Sequence, residues 1–445
     1  MCDIQINDTK ILSLGKANVD SPLQVEYESR KQSFISDNDR IYVHIREKEI
    51  RDQISRGLEP PTFELAGPRR KIYFDPSKLR CALVTCGGLC PGLNDIIRSV
   101  VLELYFHYGI RNIYGMRYGL QGFIPKYGHE IIELTPAHVS GILDMGGSIL
   151  GSSRGPQDIN EIVDCLERMN IGILFMIGGD GTLNAALSIA DTILERGLKI
   201  SVVGIPKTID NDIYLVSRSF GFDTAVDVST QAITSAHNEA QGYPNGIGLI
   251  KLMGRHSGFI ASTAALAQQD VNFVLIPEVD FDLEGPHGLL AALENRLSAR
   301  GHAVIVVAEG AGQRYFDNSA EEHDESGNIR LKDIGIFLKN AITKYFKAKQ
   351  IDINIKYIDP SYMIRSLPAN ANDSVFCGFL GRSAVHAGMT GKTKLIISRW
   401  NNHFVHVPME SSSGKRKQVS PDGELWSAVL EATGQNFYMN GGKGK

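Results

Sequence analysis

The heptapeptide "PKTIDND" (206–212) places a cation, a hydroxyl and two carboxylates directly after the apolar run "ISVVGI" (200–205). Phosphoryl transfer asks little covalent help of a protein. It needs positioning, neutralisation of anionic charge and a group to receive a hydroxyl proton. Lys207 can supply positive charge and Thr208 a positioning hydrogen bond. Asp210 and Asp212 offer a base and a neighbour that orients it or assists a metal. The same "DND" also reads as a turn in which Asx side chains bond local amides, so spacing alone leaves both roles open.

Three glycine-rich turns stand in a similar relation to apolar runs. "TCGGLCPGLND" (85–95) follows "CALV", "IGGDGTLNAA" (177–186) follows "GILFM", and "MGRHSGF" (253–259) follows "IGLIKL". Glycines after a strand and before a helix let the backbone approach a phosphate closely, with helix amides directed at it. Each turn alone is compatible with an ordinary tight turn; three in the same position is the stronger observation. Asp180, between Gly179 and Gly181, would repel a phosphate unless a cation lies between them. Magnesium, which takes one or two carboxylates plus phosphate oxygens, resolves the conflict. Capping of a helix beginning at Leu183 is the alternative, and both roles are compatible. Two other motifs fail: the first turn is not the dinucleotide fingerprint, and "HAGMTGKTK" (386–394) has His386 where a phosphate loop needs its first glycine.

The elements that must hold these turns are strands alternating with helices. "CALVTC" (81–86), "NIYGM" (112–116), "GILFMI" (172–177), "ISVVGI" (200–205), "IGLIKL" (247–252), "NFVLIP" (272–277) and "AVIVVA" (303–308) read as strands. Residues 94–109, 159–170 and 183–197 read as helices between them, and "GELWSAVLEATG" as the last one. The alternation predicts βαβ units and parallel sheets covered on both faces, with ligands at the carboxyl ends of the strands. Residues 1–74 lack it and read as an extension on the surface or on a partner subunit. The basic run "SSSGKRKQ" (411–418) reads as a solvated loop.

Composition sets the outer bounds. The 445 residues are 43% hydrophobic and 22% charged, with 46 basic against 50 acidic side chains, a net charge of −4. That balance gives no global field for nucleic acid, and no apolar run approaches a membrane span. Six cysteines are too sparse for a disulfide framework, so reduced thiols and a cytoplasmic location are expected. No secretory signal, peroxisomal address or prenylation box is evident.

In this order and at these separations, "GGDGT", "PKTIDND" and "MGRHSG" resemble the phosphofructokinase family, over about residues 78–400. "GGDGT" alone is shared with NAD kinases and diacylglycerol kinases; the other two motifs are specific to phosphofructokinases. The resemblance implies an α/β fold of two similar lobes, each a mainly parallel sheet covered by helices. It implies a nucleotide-binding lobe over 75–222, completed by about 377–409, and a sugar-phosphate-binding lobe over 223–376. The N-terminal extension 1–74 and a C-terminal helical tail 410–445 flank them.

The resemblance also assigns roles. Gly88, Arg154 and Gly155 of "GSSRGP", and Gly179, Asp180, Gly181 and Thr182 correspond to nucleotide contacts, with Asp180 the magnesium ligand. Asp210, Arg154, Lys207 and Thr208 correspond to catalytic residues, Asp210 taking the proton of the sugar's 1-hydroxyl. Thr208, Ile209, Asp210, Met253, Gly254, Arg255, Glu309, Tyr362, Met363, Ile364 and Arg365 correspond to the sugar-phosphate site, with Arg365 on the 6-phosphate. Lysine at 207 is typical of pyrophosphate-using relatives, but these usually carry aspartate where this chain has Gly181, in the place needed by the α-phosphate of a nucleotide. Gly181 with Lys207 and the long extension resembles the long ATP-dependent subgroup of protists, plants and some bacteria. The expected reaction is transfer of the ATP γ-phosphoryl to fructose 6-phosphate, giving fructose 1,6-bisphosphate and ADP. A pyrophosphate-dependent enzyme and a non-catalytic sugar-phosphate sensor are the alternatives. A homo-oligomer, dimer or tetramer, with allosteric control is implied. Lys356 falls at the offset of a cation that bacterial enzymes bring across a subunit boundary, whereas Gly246 lies near where the other is expected.

Overall fold

A run such as "ILFMIG" has no polar face to turn toward water, so it must pair into a sheet covered on both sides. The computed structural model describes residues 6–316 and 330–436; the outermost residues of the expected extension and tail, 1–5 and 437–445, lie outside these. The chain divides into two units. The first comprises the residues up to Thr208, Ile213–Gly221 and Ser366–Arg416; the second comprises Ile209–Asp212, Phe222–Arg365 and the chain from Lys417 onward.

The first unit is built on a nine-stranded sheet. Its order is Arg40–Tyr42, Thr62–Leu65, His403–Pro408, Leu395–Trp400, Ser201–Pro206, Ile173–Gly178, Arg80–Thr85, Asn112–Met116 and Ile131–Glu133. The five strands from Leu395–Trp400 to Asn112–Met116 run parallel; the outer four join antiparallel. Every residue of Ile173–Gly178 and Ser201–Pro206 is buried. Burial of each large aliphatic side chain here contributes roughly 1.5–3 kcal/mol. The chain runs outward from Arg80–Thr85 to Ile131–Glu133 and returns to Ile173–Gly178 on the other side. The order therefore reverses between Arg80–Thr85 and Ile173–Gly178, the crevice where ligands collect in such sheets.

The described part of the extension, residues 6–74, does more than lie on a surface. Thr62–Leu65 and Arg40–Tyr42 extend the sheet beyond His403–Pro408. Glu64, within Thr62–Leu65, accepts from Arg69 at 2.9 Å and pairs with Lys392 at 2.7 Å and His406 at 3.1 Å. Burial works to raise the Glu64 carboxyl, but His406 and Lys392 prevail and hold it down to about 2. Lys392 of "HAGMTGKTK" is thus committed to a buried carboxylate.

The second unit carries a four-stranded, wholly parallel sheet, ordered Phe273–Leu275, His302–Ala308, Gly246–Leu252, Asn354–Ile358. Helices Phe222–Gln241, Phe259–Ala267, Leu289–Arg300 and Ile334–Ala348 belong to this unit, and the last two pack on the sheet through a core of Leu289, Leu293, Leu338 and Ile342. At the edge strand, the side-chain amide of Gln435 imitates a neighbouring strand. Its Oε1 accepts from Val274 N at 2.7 Å and its Nε2 donates to Val274 O at 3.2 Å.

All seven expected strands are present, and both sheets are mainly parallel, as the α/β expectation requires. The helix expected over 183–197 begins earlier, at Asp180, because extended Gly179 serves as its N-cap. The five cysteines among the described residues are buried and form no disulfide, and burial pushes the Cys86 thiol up to about 12.

Candidate active site

In the first unit, three motifs leave three adjacent parallel strands at matched height. Thr85 pairs with Ile177, and Pro206 with Gly178. The turn at 86–92, the turn at 179–182 and Lys207 therefore emerge side by side at the carboxyl ends. Lys207 N donates to Gly178 O at 2.9 Å. Its buried side chain reaches across to the first turn, where Nζ donates to Gly88 O at 2.7 Å. The stretch "GSSRGP" is fastened to the same turn: Ser152 Oγ donates to Gly87 O at 2.6 Å, and Gly87 N to Ser153 O at 3.1 Å. Gly87 sits at φ +82°, in the left-handed region where a side chain is strained. Arg154, the next residue after that tie, is exposed.

Asp180 opens the helix Asp180–Glu195 and Thr182 is buried beneath it, its N–H given to Gly179 O at 2.9 Å. The first-turn amides and the helix dipole suit an anion. At Gly181 a Cβ would meet nothing within 4 Å, so space lies open beside that turn. The Asp180 side chain is 29% exposed. One reachable carboxylate at a phosphate-suited helix end fits a magnesium ion that arrives with phosphate oxygens. Among the described residues no group of three or more His, Cys, Asp or Glu could hold a metal without such help.

The second unit gathers a different set at the ends of its own strands. Leu252 pairs with Ala308, so Met253–Arg255 and Glu309 emerge together; Glu309 N donates to Leu252 O at 2.9 Å and Gly310 N to Gly254 O at 3.1 Å. Gly254 sits at φ +132°, and a Cβ there would lie 2.5 Å from Ser257 O, so only glycine fits. Ser257 Oγ donates to Asp210 O at 3.1 Å, tying the "IDND" turn to "MGRHSG". Asp210 is partly buried. Desolvation, then the negative charges of Asp212 and Glu309, raise its carboxyl far above the usual range, against the pull of Arg255. Burial likewise raises Glu309, opposed by Arg255 and Lys251. A carboxyl so raised is a strong proton acceptor once ionised. Arg365 closes the 3-10 turn Met363–Arg365 and stacks 4.7 Å from the Tyr362 ring. Tyr362 and Met363 are exposed, whereas Ile364 is buried and anchors the turn. Thr208 and Ile209 flank the boundary between units. Lys356 pairs with Glu239 at 3.8 Å and lies over the Tyr243 ring.

Three cations escaped the sequence reading. The expectation of a solvated loop at 411–418 holds for Gly414, Lys415, Arg416 and Gln418, which are exposed, but not for Ser411, Ser412, Ser413 and Lys417. In the first unit Arg416 Nη2 stands 3.5 Å from Asp180 Oδ2, and Ser413 Oγ donates to Asn184 Oδ1 at 2.7 Å. In the second unit Lys417 Nζ donates to Asn211 Oδ1 at 3.0 Å, and burial pulls its ammonium down to about 7 despite the nearby Asp212. Lys251, hidden inside a strand, bridges Asp333 at 2.7 Å and Asp359 at 2.8 Å behind Glu309. Its place within an apolar run was the one signal in the sequence, since a lysine there needs partners.

Anion-suited turns on one sheet and a raised carboxyl beside an arginine on the other are parts that suit a phosphotransferase. The chain belongs to the phosphofructokinase family, whose sequence model, described as Phosphofructokinase, matches residues 80–388. It is 52% identical over 439 residues to an ATP-dependent 6-phosphofructokinase of Borreliella burgdorferi, covering 97% of this chain and 98% of that one. An ATP-dependent 6-phosphofructokinase of Amycolatopsis methanolica is 45% identical, covering 97% and 96%. Among solved structures it resembles a pyrophosphate-dependent phosphofructokinase from Marinobacter aquaeolei, with a TM-score of 0.66 at 19% identity over 80% of this chain and 91% of that one. That likeness speaks for the fold alone.

Proposed function

We propose that this chain is an ATP-dependent 6-phosphofructokinase, transferring the γ-phosphoryl of ATP to the 1-hydroxyl of fructose 6-phosphate. The observation that carries the reading is the likeness, across nearly the whole of both chains, to ATP-dependent 6-phosphofructokinases.

The local geometry supports a division of labour. The first-unit turns, with Gly88, Gly155, Gly179, Gly181 and Thr182, hold the nucleotide through backbone groups. Asp180 would hold magnesium, which when bound would neutralise phosphate charge. Lys207, fixed to Gly88 O, and Arg154 supply positive charge to the transferring group. In the second unit Arg365 offers a planar fork to the 6-phosphate. Glu309, Met253, Gly254 and Arg255 orient the sugar, with Thr208 and Ile209 leading into the "IDND" turn. Asp210 accepts the proton of the 1-hydroxyl as that oxygen bonds to the γ-phosphorus. The bond from phosphorus to the bridging oxygen breaks, and the electron pair leaves with ADP. The high proton affinity of Asp210 suits this task near neutral pH.

Among the described residues no helix is long and apolar enough to cross a membrane. A cytoplasmic homo-oligomer, dimer or tetramer, under allosteric control completes the proposal. The test is fructose 1,6-bisphosphate formation from fructose 6-phosphate with ATP and, in parallel, with pyrophosphate. Turnover with ATP is expected; turnover with pyrophosphate alone overturns the donor, and turnover with neither overturns the function.

A further inference from the structure

We propose that Lys417 is a positioning residue for Asp210, holding the "IDND" turn from a segment 206 residues further along the chain. The inference rests on the functional reading above.

Two bonds join Lys417 to that turn. Its Nζ donates to Asn211 Oδ1 at 3.0 Å, and its backbone N–H donates to Asp212 O at 2.8 Å. Asn211 sits at φ +54°, in the left-handed region, which asparagine enters more readily than other side-chain-bearing residues but still at a cost. The following residues grip the neighbouring turn. Gln418 Nε2 donates to His256 O at 3.2 Å, and Val419 N to Glu278 Oε1 at 2.8 Å. The same Glu278 oxygen takes the N–H of Gly258 at 3.0 Å. Residues 417–419 thus lace the turn bearing Asp210 to the turn bearing Arg255, and Ser257 Oγ closes the loop onto Asp210 O.

Backbone bonds alone do not call for lysine, since any residue except proline supplies the same N–H. The ammonium is what reaches Asn211, and it does so over the Phe259 ring, 5.1 Å from its centroid. An apolar side chain would be the more stabilising occupant of so enclosed a place, because an ammonium is costly to desolvate. Its presence points to a demand on the geometry of the turn beyond bulk stability. A general base misplaced by an ångström forfeits as much as 10²-fold in rate.

The experiment compares full-length wild type with Lys417→Met, Lys417→Arg and Asn211→Gly. Asn211→Gly keeps the left-handed backbone while removing the acceptor. Initial rates are measured with ATP and fructose 6-phosphate varied independently, alongside melting temperature. Lys417→Met should lower kcat by roughly 10–100-fold with both KM values within about threefold. Lys417→Arg should recover most of that loss, Asn211→Gly should reproduce it, and the double variant should lose little more. A Lys417→Met enzyme within twofold of wild-type kcat overturns the role, as does a loss carried in KM or shared equally by the arginine variant. If Lys417→Met fails to fold, Asn211→Gly decides: undiminished kcat overturns the role and a selective kcat loss supports it. Inactive wild type with both donors overturns the function itself and this role with it.

Discussion

Substitution of Gly181 by aspartate isolates charge from shape at the proposed donor site. Gly181 occupies the first turn of the helix Asp180–Glu195, and a Cβ there meets nothing within 4 Å. The new side chain therefore enters open space. A carboxylate in a first helical turn is favoured by the dipole, and leaving glycine gains a few tenths of a kcal/mol of helix propensity. Stability should stay within about 1 kcal/mol. The cost falls on the nucleotide. A carboxylate about 5 Å from an α-phosphate charge, at an effective dielectric of about 20–40, is repelled by about 1.7–3.3 kcal/mol. That corresponds to roughly 15–250-fold in kcat/KM for ATP. Pyrophosphate has no α-phosphate or nucleoside to crowd, so the preference between donors should move toward it. Gly181→Asn, of the same size without the charge, should cost less than about fivefold. The assay is kcat/KM for each donor at saturating fructose 6-phosphate, with thermal melting as control. An aspartate variant within threefold of wild type on ATP, or an asparagine variant as impaired as the aspartate one, would refute the charge argument.

The remaining expectations concern single carboxylates. Asp210→Asn should lower kcat by roughly 10²–10⁴-fold while the KM for fructose 6-phosphate stays within a few-fold, as expected of a base that acts in the transition state; steady-state kinetics check this. Because Asp210 must be ionised to accept a proton and its carboxyl is raised, kcat/KM should decline with falling pH at values above the ordinary carboxylate range. Asp212→Asn removes one of the repelling charges and should move that decline to lower pH, read from a pH–rate profile. Glu64 is the opposite case for stability: its folded value near 2 lies below 4.5, so its contribution is present above about pH 4.5 and lost as pH falls toward 2. By linkage it amounts to roughly 3 kcal/mol at neutral pH. Glu64→Gln should therefore destabilise near pH 7 by about that amount and much less near pH 2.5, measured by denaturant midpoint.

Contiguity decided what could be read from the residues in order. Each glycine-rich turn and "PKTIDND" announces itself because strand, turn and following residues are consecutive, and a strand's carboxyl end is where a parallel sheet exposes them. The same rule locates Glu309, one residue beyond "AVIVVA". The order of strands, by contrast, is written in no single segment. "LIISRW" and "HFVHVP" look no different from strands elsewhere, yet the second turns antiparallel and carries Thr62–Leu65 with it, which draws the extension into the first sheet. Glu64 in that extension looks like any surface glutamate until Arg69, Lys392 and His406 converge on it.

Basic side chains suffer most from this limitation. In "GKRK" three cations in four residues carry the composition of a solvated loop, and Lys415 behaves accordingly. What separates Arg416 and Lys417 from it is where Ser412, Ser413 and Val419 are pinned: to Tyr214 O, to Asn184 Oδ1 and to Glu278 Oε1. Those anchors lie 141 to 229 residues away, beyond the reach of any local pattern. A flexible arm of that composition would be exchangeable with other basic sequences. An arm fixed on both sides of two consecutive cations is not, because each has a separate acceptor, Asp180 for Arg416 and Asn211 for Lys417. Exchanging them as Arg416→Lys with Lys417→Arg keeps charge and composition. It should nonetheless lower kcat more than Lys415→Ala does, since a lysine at 416 gives up the guanidinium fork that faces Asp180.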